Sequence, residues 1–160
     1  AGCGLAGLAA AALAGPSAGV LLTDESEAVL ENLRYNALAN ADRLEARVEV
    51  ARLAWEEVLE GAAPPLEAVD LLLGSDVIWG DRGPLVGRIA LRLVRPGGRL
   101  VITAQRGREG LESFVAKVGE GLLPGTVGGP GLPPFDVEIC HAVEAGEAFI
   151  HYVCRRRVDG

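Results

Sequence analysis

Ala1-Gly2-Cys3-Gly4-Leu5-Ala6-Gly7, an apolar run to Leu13, and then Val20-Leu21-Leu22-Thr23-Asp24: this opening decides the fold. It reads as a glycine-rich turn, a helix, a strand and an acid at the strand's end. Glycines let backbone pass close to a ligand, and a helix start offers N–H groups that no helical carbonyl accepts. Asp24 stands where doubly wound folds place the carboxylate that binds ribose hydroxyls, about 20 residues beyond the turn. The plainer readings are a tight turn for Gly2, Gly4 and Gly7, and a helix cap for Asp24. No strand precedes Ala1 to deliver the chain into the turn. The sequence is therefore expected to be truncated at its N-terminus, and the lack of methionine agrees with this.

Working outward, Leu5, Leu8, Ala9, Ala12 and Leu13 recur at helical spacing. The next helix is expected near Asp24-Glu25-Ser26, with Glu27 completing a capping box and Leu30, Leu33, Ala37 and Leu38 on one face. Ala46 to Leu53 alternates like a strand, with Val48 and Val50 inward. Ala68 to Leu73, interrupted only by Asp70, reads as a central strand of a parallel sheet. A helix follows Pro84, burying Leu85, Ile89 and Leu93, with a glycine cap at Pro96-Gly97-Gly98. Arg99 to Ala104 is another strand, and Leu111, Phe114, Val115 and Val118 mark another helix. Leu123 to Pro134 is an irregular Gly/Pro-rich connection. Phe135–Ala142 and Ala148–Arg156 are separated by too few residues for a crossover helix, so they pair antiparallel. The alternation implies an α/β fold: a Rossmann-like, doubly wound, mostly parallel sheet closed by a C-terminal antiparallel hairpin. Its first strand is expected to be lacking, which leaves a gap between the strands ending at Asp24 and Leu73.

Composition bounds the function. A chain of 160 residues, 49% hydrophobic and 23% charged, suits one folded domain over residues 1–160 and not a disordered segment. A net charge of −7 argues against a nucleic-acid partner, and Arg155-Arg156-Arg157 reads as a solvated strand end. Cys3, Cys140 and Cys154 show neither metal-ligand spacing nor an even disulfide framework, so no metal is expected. Reduced thiols point to a cytoplasmic protein. No apolar run reaches the roughly 20 residues of a membrane span. A monomer is expected.

The chain resembles seven-strand methyltransferases that use S-adenosylmethionine, and within them the family-16 protein methyltransferases, which include many protein-lysine methyltransferases. The resemblance rests on Ala1-Gly2-Cys3-Gly4-Leu5 with Gly7-Leu8; Leu22-Thr23-Asp24 with Glu31-Asn32 and Asn36; Leu53-Ala54-Trp55; Leu72 to Trp79; and Arg95-Pro96-Gly97-Gly98-Arg99-Leu100. It implies that Ala1, Gly2, Cys3 and Gly4 pass beside the methionine part of the cofactor and that Asp24 holds the ribose. Trp55 would lie against adenine, with Ser75 closing the pocket. It also implies that Asp76 and Trp79 line a substrate channel, that the substrate is a protein side chain, lysine first, and that no side chain acts as a catalytic nucleophile. The chain departs from the family pattern in three places. The Glu-Leu-Gly that usually precedes the turn is missing, Ala54 replaces a common Asp, and Trp79 replaces a common Tyr.

The residues themselves leave alternatives. Trp55 and Trp79 could be ordinary core aromatics. Asp76, between an apolar strand and Val77-Ile78, is either buried or caps the next segment. His141 and His151 are expected to pack on the hairpin, with His151 near Cys140. The Gly2-x-Gly4-x-x-Gly7 pattern also fits an NAD-dependent oxidoreductase. A truncated, non-catalytic interaction module is the other alternative.

Overall fold

A computed structural model describes residues 1–64, 66–119, 135–144 and 147–158. The chain forms two compact units, Ala1–Val58 and Leu59–Gly160.

The first unit begins with a tight turn closed by the Gly4 N–H on the Ala1 carbonyl, with Gly2 and Gly4 both at positive φ. Helix α1 (Leu5–Leu13) leads to strand β1 (Gly19–Asp24), then helix α2 (Glu27–Ala39) and strand β2 (Arg47–Arg52). Helix α3 (Trp55–Glu60) follows. β1 and β2 pair in parallel from Gly19↔Arg47 to Asp24↔Arg52, and β1 pairs with no other described strand. The core is Leu22, Leu30 and Leu33, with Leu8, Val20, Val29, Val48 and Val50 packed around it. Burying each such leucine stabilises the unit by about 1.5–3 kcal/mol.

α1 presents a different face from the one its leucines suggest. Ala11 is buried and Leu8 half-buried, whereas Leu5 and Leu13 are exposed. The buried line passes through Gly4, Gly7, Leu8 and Ala11, because the helix lies too close to β1 for anything larger. A Cβ on Gly7 would stand 2.2 Å from Leu22 Cδ2, and one on Gly4 2.7 Å from Leu33 Cδ2. In α2, Leu30 and Leu33 are buried as expected, but Leu38 is exposed. Asp24 ends β1 and does not open a capping box with Glu27. Ser26 is the N-cap of α2, and its side chain makes no capping bond. The helix α3 was not anticipated, since the expected strand ran through Leu53 with no helical pattern after it.

The second unit is a four-stranded sheet in the order β3-β4-β6-β5, built from β3 (Val69–Ser75), β4 (Val94–Gln105), β5 (Phe135–Glu144) and β6 (Glu147–Arg156). β3 and β4 are parallel, and β4-β6 and β5-β6 antiparallel. Helices α4 (Gly83–Leu93) and α5 (Leu111–Gly119) supply Val86, Ile89, Phe114 and Val118 to a core shared with Leu100, Ile102 and Tyr152. Phe114 meets Tyr152 edge to face at 5.6 Å.

Three expectations change here. β3 is an edge strand within its sheet, in keeping with the gap expected beside the strand ending at Leu73, but Leu71 (45%) and Leu73 (37%) are exposed where the apolar run implied a buried central strand. α4 ends at Leu93 and passes directly into β4, so Gly97 (φ 79) does not cap the helix. It turns the strand where the β3–β4 register shifts. The arginine cluster is not simply solvated: Arg156 is buried and donates to the Leu91 carbonyl at 3.1 Å and to the Val94 carbonyl, at the end of α4. Arg157 pairs with Asp136, and Arg155 stays exposed. Leu123 to Pro134 and the Ala145-Gly146 turn lie outside the described residues.

Gly83 begins α4 against the start of α5, and a Cβ there would stand 2.1 Å from the Gly110 carbonyl oxygen. Gly83→Ala is expected to lower unfolding free energy by about 1–3 kcal/mol, whereas Gly15→Ala, with nothing within 4 Å, stays within about 0.5 kcal/mol. Urea unfolding of both variants checks this, and equal midpoints would contradict the packing. The thiols give a second test. Cys154 is buried and its thiol is pushed up to about 12 by that burial, while Cys3 and Cys140 are exposed. Ellman's reagent at mild alkaline pH is expected to titrate Cys3 and Cys140 in the native chain and Cys154 only after unfolding; equal labelling of all three would contradict the burial.

Candidate functional site

In the first unit the opening turn, Asp24 and Trp55 gather at the C-terminal end of the two strands. The parallel register aligns Asp24 with Arg52, and the Leu53 N–H donates to the Asp24 carbonyl at 2.9 Å, so Trp55 starts α3 just beyond. The turn is tied down from α2, where Asn36 Nδ2 donates to the Cys3 carbonyl at 2.9 Å. The Ala1 nitrogen donates to the Thr23 carbonyl at 2.8 Å and to Asp24 Oδ2 at 2.7 Å, and the Ser26 N–H donates to Asp24 Oδ1 at 3.1 Å. Burial works to raise the Asp24 carboxyl. Hydrogen bonds from the Ala1 nitrogen, Ser26 and Gly2, together with the Ala1 charge, outweigh it and hold the group below the usual aspartate range. The start of α1 has no side-chain cap, so its first N–H groups face the turn without one. Ala1, Gly2, Cys3, Gly4 and Asp24 are thus brought together, and Trp55 follows three residues after Arg52, the partner of Asp24 in the register.

In the second unit Ser75, Asp76 and Trp79 follow one another at the end of β3. Asp76 is the only described non-glycine residue at positive φ (53), and its N–H is fixed to the Thr103 carbonyl at 2.8 Å. It is neither buried nor a cap. Its carboxylate is half-exposed and accepts from the Arg108 guanidinium at 2.5 Å. Trp79 is 54% exposed, which excludes the core reading, and Arg82 lies over its ring at 4.8 Å. Ser75, Asp76, Thr103, Gln105, Arg108 and Phe149 line a pocket of about 280 Å³. His151 pairs with Cys140 across the hairpin, as anticipated, and its Nδ1 lies 2.9 Å from Thr103 Oγ1.

Sequence reasoning missed Arg108 and Thr103. Thr103 lay inside a strand it had already located. Arg108 could have been suspected from Gln105-Arg106-Gly107-Arg108, a glycine-bearing turn just past the end of that strand, where loops reach over a sheet's C-terminal edge.

A family model described as lysine methyltransferase matches residues 1–120. The chain belongs to this family. Its activity class is therefore S-adenosylmethionine-dependent methyl transfer, and its cofactor S-adenosyl-L-methionine. The nicotinamide alternative gives way to that match. No curated protein matches the sequence. Solved structures share the Rossmann-like methyltransferase fold. A protein described as an rRNA methylase from Clostridium thermocellum aligns with a TM-score of 0.67 at 16% identity, covering 99% of this chain and 84% of that one. An arsenic(III) S-adenosylmethionine methyltransferase from Chlamydomonas reinhardtii aligns at 0.62 and 18% identity, covering 98% and 61%. An N-methyltransferase from Bradyrhizobium japonicum, solved with S-adenosyl-L-homocysteine, aligns at 0.55 and 13%, covering 85% and 65%. The chain thus spans less than two thirds of the last two. Among the described residues no helix is long and apolar enough to cross a membrane.

The backbone of Asp76 gives a test of this methyltransferase's second unit. A left-handed conformation costs a Cβ-bearing residue about 1–2 kcal/mol, and Ala and Gly lose the Arg108 pair equally. Asp76→Gly is expected to be more stable than Asp76→Ala by about 1 kcal/mol in thermal unfolding. An alanine variant as stable as the glycine one would contradict the conformation.

Proposed function

We propose that the chain transfers the methyl group of S-adenosylmethionine to a protein side chain, with lysine the first candidate. The observation that carries the reading is the gathering of the glycine turn, the Asp24 carboxylate and Trp55 at one end of β1 and β2. On this reading Ala1, Gly2, Cys3 and Gly4 pass along the methionine part of the cofactor, whose carboxylate meets the uncapped start of α1. Asp24, held ionised at neutral pH, accepts from the ribose hydroxyls, and Trp55 stacks on adenine. The family resemblance adds Ser75 to the cofactor residues, and Asp76 and Trp79 to those that guide the substrate's ammonium.

When bound, the cofactor supplies an electrophilic methyl on sulfur, and the transfer is an in-line displacement by the substrate nitrogen. The chain's residues orient the partners and shape the polarity of the site. No side chain needs to act as a nucleophile. The amine must attack in its neutral form, so its proton leaves to solvent before transfer. Family membership supports lysine, and a net charge of −7 favours a protein over a nucleic acid as partner.

Calorimetric titration of the full chain with S-adenosylmethionine tests the assignment. Charge-assisted hydrogen bonds of this kind are worth about 1.5–3 kcal/mol, so Asp24→Ala is expected to bind about 10- to 100-fold more weakly. Equal affinity would defeat the role of Asp24. Absence of binding in both proteins would leave an interaction module instead of an enzyme.

A further inference from the structure

Among the described residues, Asp76 and Arg108 are the only charged ones lining the pocket at the end of β3, and they are paired with each other. Arg108 spends little of its donor capacity on that contact. One terminal nitrogen reaches Asp76 Oδ2, while Nε is buried and has no hydrogen-bond partner among the described residues. A guanidinium offers five donors in a planar fork that matches a carboxylate along two parallel bonds, and a single contact leaves that fork mostly unused. Both residues are held at the backbone. The Asp76 N–H is bonded to the Thr103 carbonyl, and the Arg108 N–H closes a turn on the Gln105 carbonyl at 3.2 Å with Gly107 at φ 78. The two charges face one another from fixed positions, and the described lining carries no net charge.

That neutrality constrains what can enter. A lysine ammonium drawn to Asp76 must compete with Arg108 and would leave the pocket with one positive charge in excess. A substrate that brings its own carboxylate removes the conflict. The carboxylate takes the terminal nitrogens of the Arg108 guanidinium, and Asp76 is released to the ammonium. The existing pair is half-exposed, a class that contributes little to stability, so its opening is cheap.

We propose that Arg108 forms a carboxylate subsite beside Asp76, selecting substrates in which an acidic residue adjoins the target lysine. This rests on the lysine reading above, and the test separates the two. Three probes are titrated into the full chain: acetyl-Glu-Lys-amide, acetyl-Gln-Lys-amide and acetyl-Glu-Ala-amide. The Arg108 Nε resonance, identified by its loss in Arg108→Lys, reports the contact. The expected result is that acetyl-Glu-Lys-amide moves this resonance and binds about tenfold more tightly than acetyl-Gln-Lys-amide. Arg108→Gln is expected to erase the difference, and Arg108→Lys, which keeps the charge without the planar fork, to reduce it. An unmoved Nε resonance, or equal affinity for the Glu-Lys and Gln-Lys probes, overturns the subsite. If acetyl-Glu-Ala-amide binds as well as acetyl-Glu-Lys-amide, and both bind better than acetyl-Gln-Lys-amide, the subsite stands and the lysine reading falls.

Discussion

The close approach of α1 to β1 is the constraint on which the first unit depends. Gly4 and Gly7 face Leu33 and Leu22 at distances no side chain would tolerate, so the helix rests almost directly on the strand. That contact fixes where the turn before the helix can lie. It also explains why an alanine-rich helix with two exposed leucines is bound to the unit at all: small residues bring α1 near enough for the Ala11 carbonyl to accept from the Glu45 and Ala46 N–H groups ahead of β2. The turn, the end of β1 and the start of α3 then fall together as a consequence of helix–strand spacing and parallel register, before any ligand chemistry is considered.

Electrostatics repeats one pattern in both units. Each has an aspartate at or just past the end of a strand that accepts a hydrogen bond from the chain, Asp24 from the Ser26 N–H and Asp76 from Arg108. A carboxylate so placed is suited to accept hydrogen bonds, and a weak surface partner can be exchanged for a ligand. The aromatic Trp79, with Arg82 on its ring, belongs to the same pattern.

Much of this was legible in the sequence. Most helices and strands of distinct period were placed within a residue or two, although β4 starts at Val94 and not at Arg99, and the antiparallel hairpin followed from the shortness of its join. Where the reading went astray, packing overrode pattern. The leucines of α1 marked the wrong face because glycine and alanine, which carry no hydrophobic signal, set the distance to β1. Gly97 looked like a helix cap because a strand that bends at glycine produces the same Pro-Gly-Gly string. Leu71 and Leu73 implied a central strand, yet β3 is an edge within its own sheet. Arg108 and Arg156 were invisible as individuals, since a basic residue in a loop or a strand end looks solvated until the sheet brings a carboxylate or a buried carbonyl to it.

The central claim is that the opening turn, Asp24 and Trp55 form one cofactor-binding surface, and amide resonances observed while S-adenosylhomocysteine is added report on it most directly. The account predicts that the largest shifts fall on Gly2, Cys3, Gly4, the residues flanking Asp24, and Trp55 with its indole N–H. Saturable shifts confined to other residues, with these signals unmoved, would contradict it.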